Sequence, residues 1–442
     1  MGNHFSKLGF VLAALGSAIG LGHIWRFPYM AGVSGGGAFV LLFLFLSLSI
    51  GAVMFIAEML LGQSTQKNTI EAFKELDPNP KKYWKYAGLL LVSGPLVLTF
   101  YGTILGWVFY YLVDVSFNLP TNIQESEQIF NHTLQSLGLQ IIGLFGVMLL
   151  TGLIVARGVK DGIEKLNLIL MPLLFATFFG LLFYAMSLDS FSKAFHFMFD
   201  FKTKDLTPQV FTSSLGQVFF SLSIGLGINI TYAASTDKTQ DLLKSTLWVV
   251  LSGIVISLVA GLMIFTFVFE HGANISQGTG LIFTSLPVVF GKMGAIGTLV
   301  SVLFLLALAF AGITSTVALL EPSVMYIVDR YQCKRSVATW GIISLILVVG
   351  VLLIFSLHND YKDALSFLGK NLFDWLDFIS STIIMPLGGI ASFIFMGWIL
   401  EKEKVRLFSS HFLSPKLFEV WYFLLKYITP LIVLSIWVSK FS

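Results

Sequence analysis

The chain is short of charge. Asp, Glu, Lys and Arg make up 12% of its 442 residues, while 56% are hydrophobic. A soluble domain carries roughly twice that charge, so no water-facing surface can be built from this composition. Soluble enzymes, secreted domains and disordered chains are excluded. A formal net charge of +3 is too small to call for an anionic polymer, which excludes a nucleic-acid partner. A single cysteine, Cys333, rules out a disulfide framework and a thiolate metal cluster. HExxH, a phosphate loop and a Ser/His/Asp spacing are all missing, so nothing marks an enzyme. His196, His271, His358 and His411 fall outside the apolar runs. Linkers and low-complexity tracts are absent too. The first apolar run begins near Leu8 without a basic leader, and it reads as a retained span rather than a cleaved signal.

What is present is apolar length. A membrane-spanning helix needs about 20 mostly apolar residues. Read that way, the chain gives an all-α integral membrane protein of eleven spans, near 8–33, 37–63, 86–113, 136–156, 163–187, 208–236, 242–270, 294–328, 336–356, 372–400 and 416–438. Lys and Arg gather in cytoplasmic loops. With the N-terminus inside, 18 of the 27 Lys and Arg lie inside and 8 outside. The expectation is a multi-pass protein of the cytoplasmic membrane, N-terminus in and C-terminus out. Loop 64–85 reads as a solvated face. The stretch 271–291 is semi-apolar and Gly-rich, and could fold back onto the bundle.

Two spans carry glycine in a way that does not suit a continuous helix: Gly16-Ser17-Ala18-Ile19-Gly20-Leu21-Gly22-His23 in the first, and Ser221-Leu222-Ser223-Ile224-Gly225-Leu226-Gly227 in the sixth. Either run alone reads equally as close helix packing. Taken together, they sit in corresponding places if spans 1–5 (8–187) and 6–10 (208–400) are inverted repeats followed by one extra helix (416–438). Paired interruptions of this kind point to a transporter site. Unwound backbone is tolerated at bilayer depth only where it is buried in protein or lines a cavity. The freed N–H groups suit a carboxylate, and the freed carbonyls suit a cation.

The run from Leu15 through His23 to Trp25-Arg26-Phe27-Pro28-Tyr29, followed by Gly35-Gly36-Gly37-Ala38-Phe39, resembles the first-span signature of the neurotransmitter:sodium symporter family. Further resemblances lie in Glu58 with Gly62-Gln63, Gln217 to Ser223, Ala311-Gly312-Ile313-Thr314-Ser315, Asp374 and Asp377 before Pro386-Leu387-Gly388-Gly389, and the Gly162/Pro172 spacing of a helix-unwinding motif. Together they cover residues 5–438.

The resemblance implies a Na⁺ site formed by the carbonyls of Gly16, Ile19 and Ala311 and the hydroxyls of Thr314 and Ser315. Hydroxyls at such positions also commonly bond back to their own helix. For the substrate it implies the amides of Leu21 and Gly22 with the Tyr101 hydroxyl around a carboxylate. The carbonyls of Ala18, Phe220 and Ser221, with Ser315 nearby, would face an ammonium. Val97, Phe220, Ser223, Leu226 and Leu319 would surround the side chain. Arg26 and Asp377 resemble the external gate, though a static ion pair reads equally from the residues. Glu321 and Asp329 resemble members of the cytoplasmic gate. Monoamine members carry Asp where this chain has Gly20, so the substrate here is expected to supply its own carboxylate. With no charged side chain in the pocket, a hydrophobic, bulky α-amino acid is favoured.

Departures from the family pattern are equally informative. The first Na⁺ site of the family uses an Asn where this chain has His23, and a second Asn that aligns with Gly253. Imidazole is a poor Na⁺ ligand, so one retained Na⁺ site is expected. His23 is then either a protonated stand-in for the missing cation or a neutral ring in a reshaped core. A chloride-site Tyr aligns with Phe43, no acidic residue lies near Ser257, and no chloride requirement is expected. The basic residue and Trp before the first span are replaced by Met1-Gly2-Asn3-His4-Phe5, and a Tyr of the sixth span by Ser235, leaving Lys7 and His4 as candidate substitutes in the inner latch. The reading is a Na⁺-driven amino-acid symporter in the lipid bilayer, with proton coupling through His23 an added expectation. The alternative is an amino-acid sensor on the same fold.

Overall fold

The computed structural model describes residues 4–272 and 280–434, and apart from one isolated bridge at Phe367 and Lys370 the regular structure there is helical. The first span is broken into α1a (Lys7–Ala18) and α1b (Gly22–Val33), which meet at a 51° bend. Then follow α2 (Gly37–Thr65), α3 (Lys85–Phe117), α4 (Leu137–Ala156) and α5 (Val159–Met186). The sixth region comes in two pieces, α6a (Pro208–Ser221) and α6b (Ile228–Ala234). The chain continues through α7 (Leu242–Glu270), α8 (Ala295–Tyr331), α9 (Arg335–Leu357), α10 (Leu372–Ile399) and α11 (Pro415–Leu434). Among the described residues, nine helices are long and apolar enough to cross a membrane, and ten if the bent α1 pair is one crossing. The two pieces of α6 are each too short to cross alone. The last residues of the expected 416–438 helix and the head of the N-terminal latch, Met1 to Asn3, lie outside the described residues.

The distribution of side chains is inverted relative to a soluble protein. Phe45, Ile142, Phe183, Trp248 and Leu345 are exposed on the outer surface, while Glu58, Gln217, Asn229 and Thr314 are fully buried. Only hydrocarbon can cover such a surface. Many buried hydroxyls bond within their own helices: Thr103, Thr151 and Thr246 each donate to the carbonyl one turn back at 2.8–2.9 Å.

The breaks have local causes. At the first, Ile19 leaves helical geometry (ψ 78°) and the Gly20 amide turns back to the Ala18 carbonyl at 2.9 Å. The chain resumes in a wide π-type turn, Gly22–Arg26, and Pro28 follows within the same helix, where its missing N–H leaves one carbonyl of that turn without its helical donor. The second break, 222–227, holds three positive φ angles, at Ser223 (51°), Gly225 (85°) and Gly227 (71°). Gly225 has a second reason to be glycine: a side-chain carbon there would overlap the Met385 carbonyl, and one on Gly388 would overlap the Gly225 carbonyl. The α6 loop and α10 therefore cross backbone on backbone.

Three details differ from the sequence reading. α5 opens in a wide π-helical segment, Val159–Glu164, that holds Gly162, and is α-helical through Pro172, so the Gly162/Pro172 stretch is helical along its length here. Loop 64–85 is not simply a solvated face, because its helix Thr69–Leu76 is amphipathic and buries Ile70, Phe73 and Leu76. Of 271–291, residues 273–279 lie outside the described residues. The rest does fold back: Tyr111 on α3 donates to the Phe283 carbonyl at 2.9 Å and Ser126 to that of Thr284 at 2.8 Å.

Candidate functional site

A narrow cavity of about 30 Å³ lies where the two breaks face each other. From α1 it takes Ser17, Ala18, Gly20, Leu21 and Gly22, and from α3 Val97 and Tyr101. Phe220, Ser223 and Leu226 come from the α6 region, Ser315 and Leu319 from α8, and Met385 from α10. Ten of the eleven residues expected around a substrate are in this wall. The eleventh, Ser221, stands just behind it, its hydroxyl accepting from Gln217 Nε2 at 3.0 Å. Ser17 and Met385 were missed, although Met385 directly precedes the Pro-Leu-Gly-Gly run that signals close packing. No charged side chain lines the cavity.

The wall is held by a few directed bonds. The Leu21 amide donates to the Tyr101 hydroxyl at 3.2 Å, and Ser315 is a second hydrogen-bond partner of that hydroxyl. Ser223 donates to the Ser17 carbonyl at 3.0 Å, a bond that requires its left-handed backbone and ties the two breaks together. A side-chain carbon on Gly20 would run into Ser315 Oγ and stand 2.9 Å from the Tyr101 hydroxyl. Nothing larger than hydrogen fits there without displacing both.

Above this cavity lies a wider one of about 280 Å³, walled by Trp25, Arg26, Tyr29, Phe100, Ile104, Phe373 and Asp377. Leu21, Tyr101 and Phe220 line both chambers, so the Phe220 ring is the partition. The Arg26 guanidinium sits 4.8 Å from that ring's centre, a cation–π distance, and donates to Gln217 Oε1 at 3.0 Å. Gln217 in turn donates to the Gly22 carbonyl at 2.8 Å. Arg26 and Asp377 thus share the chamber directly above the partition.

Below, α1a packs on α8. Ser315 Oγ reaches across to the Gly16 carbonyl at 3.4 Å, while Thr314 Oγ1 bonds back to the carbonyls of Phe310 (3.2 Å) and Ala311 (3.0 Å). Ile19, at the break that follows α1a, and Ala311 on α8 are buried beside them. The groups gathered there are all neutral oxygens, the donor type a hard monovalent cation takes.

The His23 ring is buried, and its Nδ1 has no hydrogen-bond partner. Its Nε2 lies 2.7 Å from the place a Gly253 side-chain carbon would occupy. Phe43 packs against Phe27 and Phe39 and offers no oxygen. Ser257 Oγ is buried without a partner.

Glu58 is the functional residue sequence reasoning used least. Fully buried, it accepts from the Gly225 amide at 2.8 Å, from Asn229 Nδ2 at 2.9 Å and from Ser392 at 3.5 Å, clamping the unwound α6 segment. The available signal was a lone carboxylate inside a span.

At the end of the bundle where the chain begins, Glu321 is ion-paired with Arg335, and Asp329 accepts from Asn68 Nδ2 at 2.8 Å. The N-terminal segment is fastened by Phe5 and Ser6, and His4 and Lys7 lie within electrostatic reach of Asp237. The Phe5 amide donates to the Ser235 carbonyl at 2.9 Å and its ring meets Tyr232 edge-on, while Ser6 donates through its amide and hydroxyl to Glu164.

The profile of the Sodium:neurotransmitter symporter family matches residues 2–133 and 124–442. The chain belongs to that family. It is 34% identical to an uncharacterized sodium-dependent transporter of Bacillus subtilis, YhdH, over 98% of this chain and 96% of that one. A sodium-dependent transporter of Haemophilus influenzae is 31% identical over 98% and 97% of the two chains. Among solved structures, that of MhsT in complex with L-phenylalanine superposes with a TM-score of 0.90 at 34% identity, covering 99% of both chains. Family membership makes the chain a sodium-dependent, multi-pass membrane transporter and not an enzyme. The all-α architecture with a broken first and sixth span is the fold of that family.

Proposed function

We propose that the chain is a Na⁺-driven symporter of a hydrophobic, bulky α-amino acid, working across the cytoplasmic membrane with the N-terminus inside and the C-terminus outside. In this reading α6a and α6b form one interrupted crossing, and residues 8–187 and 208–400 are the inverted repeats. The carrying observation is Gly20 wedged against Ser315 and Tyr101: the protein places no carboxylate of its own in the cavity, so the substrate brings one. The Leu21 and Gly22 amides and the Tyr101 hydroxyl receive that carboxylate. The carbonyls of Ala18, Phe220 and Ser221 take the ammonium, and Val97, Ser223, Leu226, Leu319 and Met385 enclose an apolar side chain. The relative MhsT, solved with L-phenylalanine, supports an aromatic or similarly large guest.

One Na⁺, as co-substrate, is received by Gly16, Ile19, Ala311, Thr314 and Ser315. The position filled elsewhere in the family by a second ion is here occupied by the His23 ring against Gly253, and we assign proton coupling to that imidazole. Chloride has no hydroxyl at Phe43 to bind and is not required. Arg26 and Asp377 close over Phe220 on one side, and Glu321 and Asp329 hold the other.

The test is uptake of labelled phenylalanine, leucine, methionine, tyrosine and tryptophan into proteoliposomes. Accumulation against the gradient that needs inward Na⁺, is indifferent to chloride and is competed by amino acids but not by the matching amines is expected. Binding without accumulation would make the protein a sensor and overturn the proposal.

A further inference from the structure

The Asn167 side chain is buried within the bundle on α5, and its two ends are treated differently. Nδ2 donates to the Ile163 carbonyl at 2.8 Å. A carbonyl can only accept, so the NH₂ must be the end that faces Ile163. Oδ1 is therefore turned away from its own helix, and it has no hydrogen-bond partner. A buried amide oxygen left unpaired costs about 1–3 kcal/mol, and most such atoms in native proteins answer to something.

Oδ1 abuts Gly16. A side-chain carbon there would overlap it, and the same point lies 3.1 Å from Thr314 Cβ. Asn167 and Thr314 thus press on one glycine from two helices. Gly16 is also the residue whose carbonyl receives Ser315 at 3.4 Å. Two side-chain oxygens, on α5 and α8, meet this stretch of α1a with Thr314 beside them, and none belongs to a charged group. The donor for an orphaned acceptor in such company is a cation.

We propose that Asn167 Oδ1 is a further ligand of the Na⁺ received by Gly16, Ile19, Ala311, Thr314 and Ser315, so that α5 takes part in the ion site with α1 and α8. The proposal rests on the reading of that site given above. It also assigns a reason to the chemistry at 167: Nδ2 anchors the amide, and the oxygen is the working end.

The experiment measures Na⁺-dependent thermal stabilisation of the full-length purified protein in detergent without substrate, with K⁺ as the ionic control. Asn167→Leu keeps the volume and removes the oxygen. The concentration of Na⁺ giving half the shift should rise about tenfold, the low end for a polar contact to a charge. Asn167→Thr restores an oxygen whose proton goes to the carbonyl one turn back, and should recover most of the affinity. Thr314→Ala reports on the site itself. If Thr314→Ala weakens Na⁺ and Asn167→Leu does not, Asn167 is no ligand and the site stands without it. If the wild type shows no Na⁺-specific shift, or Thr314→Ala leaves it unchanged, the site reading fails and the proposal falls with it. Should the Leu variant not fold, an unaltered Na⁺ response in Asn167→Ser overturns the proposal equally.

Discussion

His23 Nε2 lies 2.7 Å from the point where a Gly253 side-chain carbon would begin. The imidazole takes the space the glycine vacates, so the two positions form one structural unit. Changing either alone is expected to damage the protein. Gly253→Ala drives a methyl into the ring, and His23→Asn leaves a cavity. The double change to Asn at both positions is expected to recover expression and to steepen the Na⁺ dependence of uptake, measured as a Hill coefficient rising from near one.

The same pair bears on protons. Imidazole is the side chain whose ordinary titration falls between about pH 5 and 8. Uptake by the wild type in proteoliposomes is expected to respond to an imposed pH gradient, and uptake by the Asn/Asn double variant should not. Identical responses in the two proteins would remove His23 from the coupling.

Gly20→Asp should abolish amino-acid uptake. The added carboxylate displaces Ser315 and Tyr101 and faces the substrate's own carboxylate at close quarters, a repulsion of several kcal/mol, or more than about a hundredfold in affinity. Competition assays with zwitterions and with the corresponding amines will check it. An Asp variant that still favours zwitterions contradicts the assignment of the carboxylate to Leu21 and Gly22.

Glu58→Ala strips the acceptor from the Gly225 amide and from Asn229. A loss of about 2 kcal/mol for the orphaned donors is expected, seen as a lower unfolding temperature in detergent. Glu58→Gln keeps one acceptor oxygen and should lose less. Equal loss in both variants would mean that the charge, and not the hydrogen bonding, holds the α6 loop.

Phe220→Ala merges the two chambers that the ring now divides. Substrate binding should weaken about tenfold, in line with the loss of a buried aromatic contact of 1–2 kcal/mol, and accumulation should fall further than binding. Measuring equilibrium binding and uptake on the same preparation separates the two effects.

Much of this was legible because the membrane simplifies the reading. Apolar length fixes spans within a few residues, and a glycine pair at bilayer depth such as Gly225 and Gly227 has few explanations. The lining of the small cavity was legible because main chain, rather than side chains, supplies most of its polar groups, and the positions of breaks reveal where main chain is free. Relationships set by volume were harder to read. That Met385 enters the wall, that Asn167 presses on Gly16 and that Phe5 helps fasten the N-terminal segment all depend on which helix faces turn toward one another. The amphipathic helix Thr69–Leu76 was hidden by its charged neighbours, whose number outweighed the spacing of Ile70, Phe73 and Leu76.

The contact of Gly225 with Gly388 and the Met385 carbonyl has a mechanical meaning. Two stretches of main chain meet with no side chain between them, so there is nothing compressible at the junction. The loop of α6 and the middle of α10 are therefore expected to shift together, as one unit, in any rearrangement of the bundle.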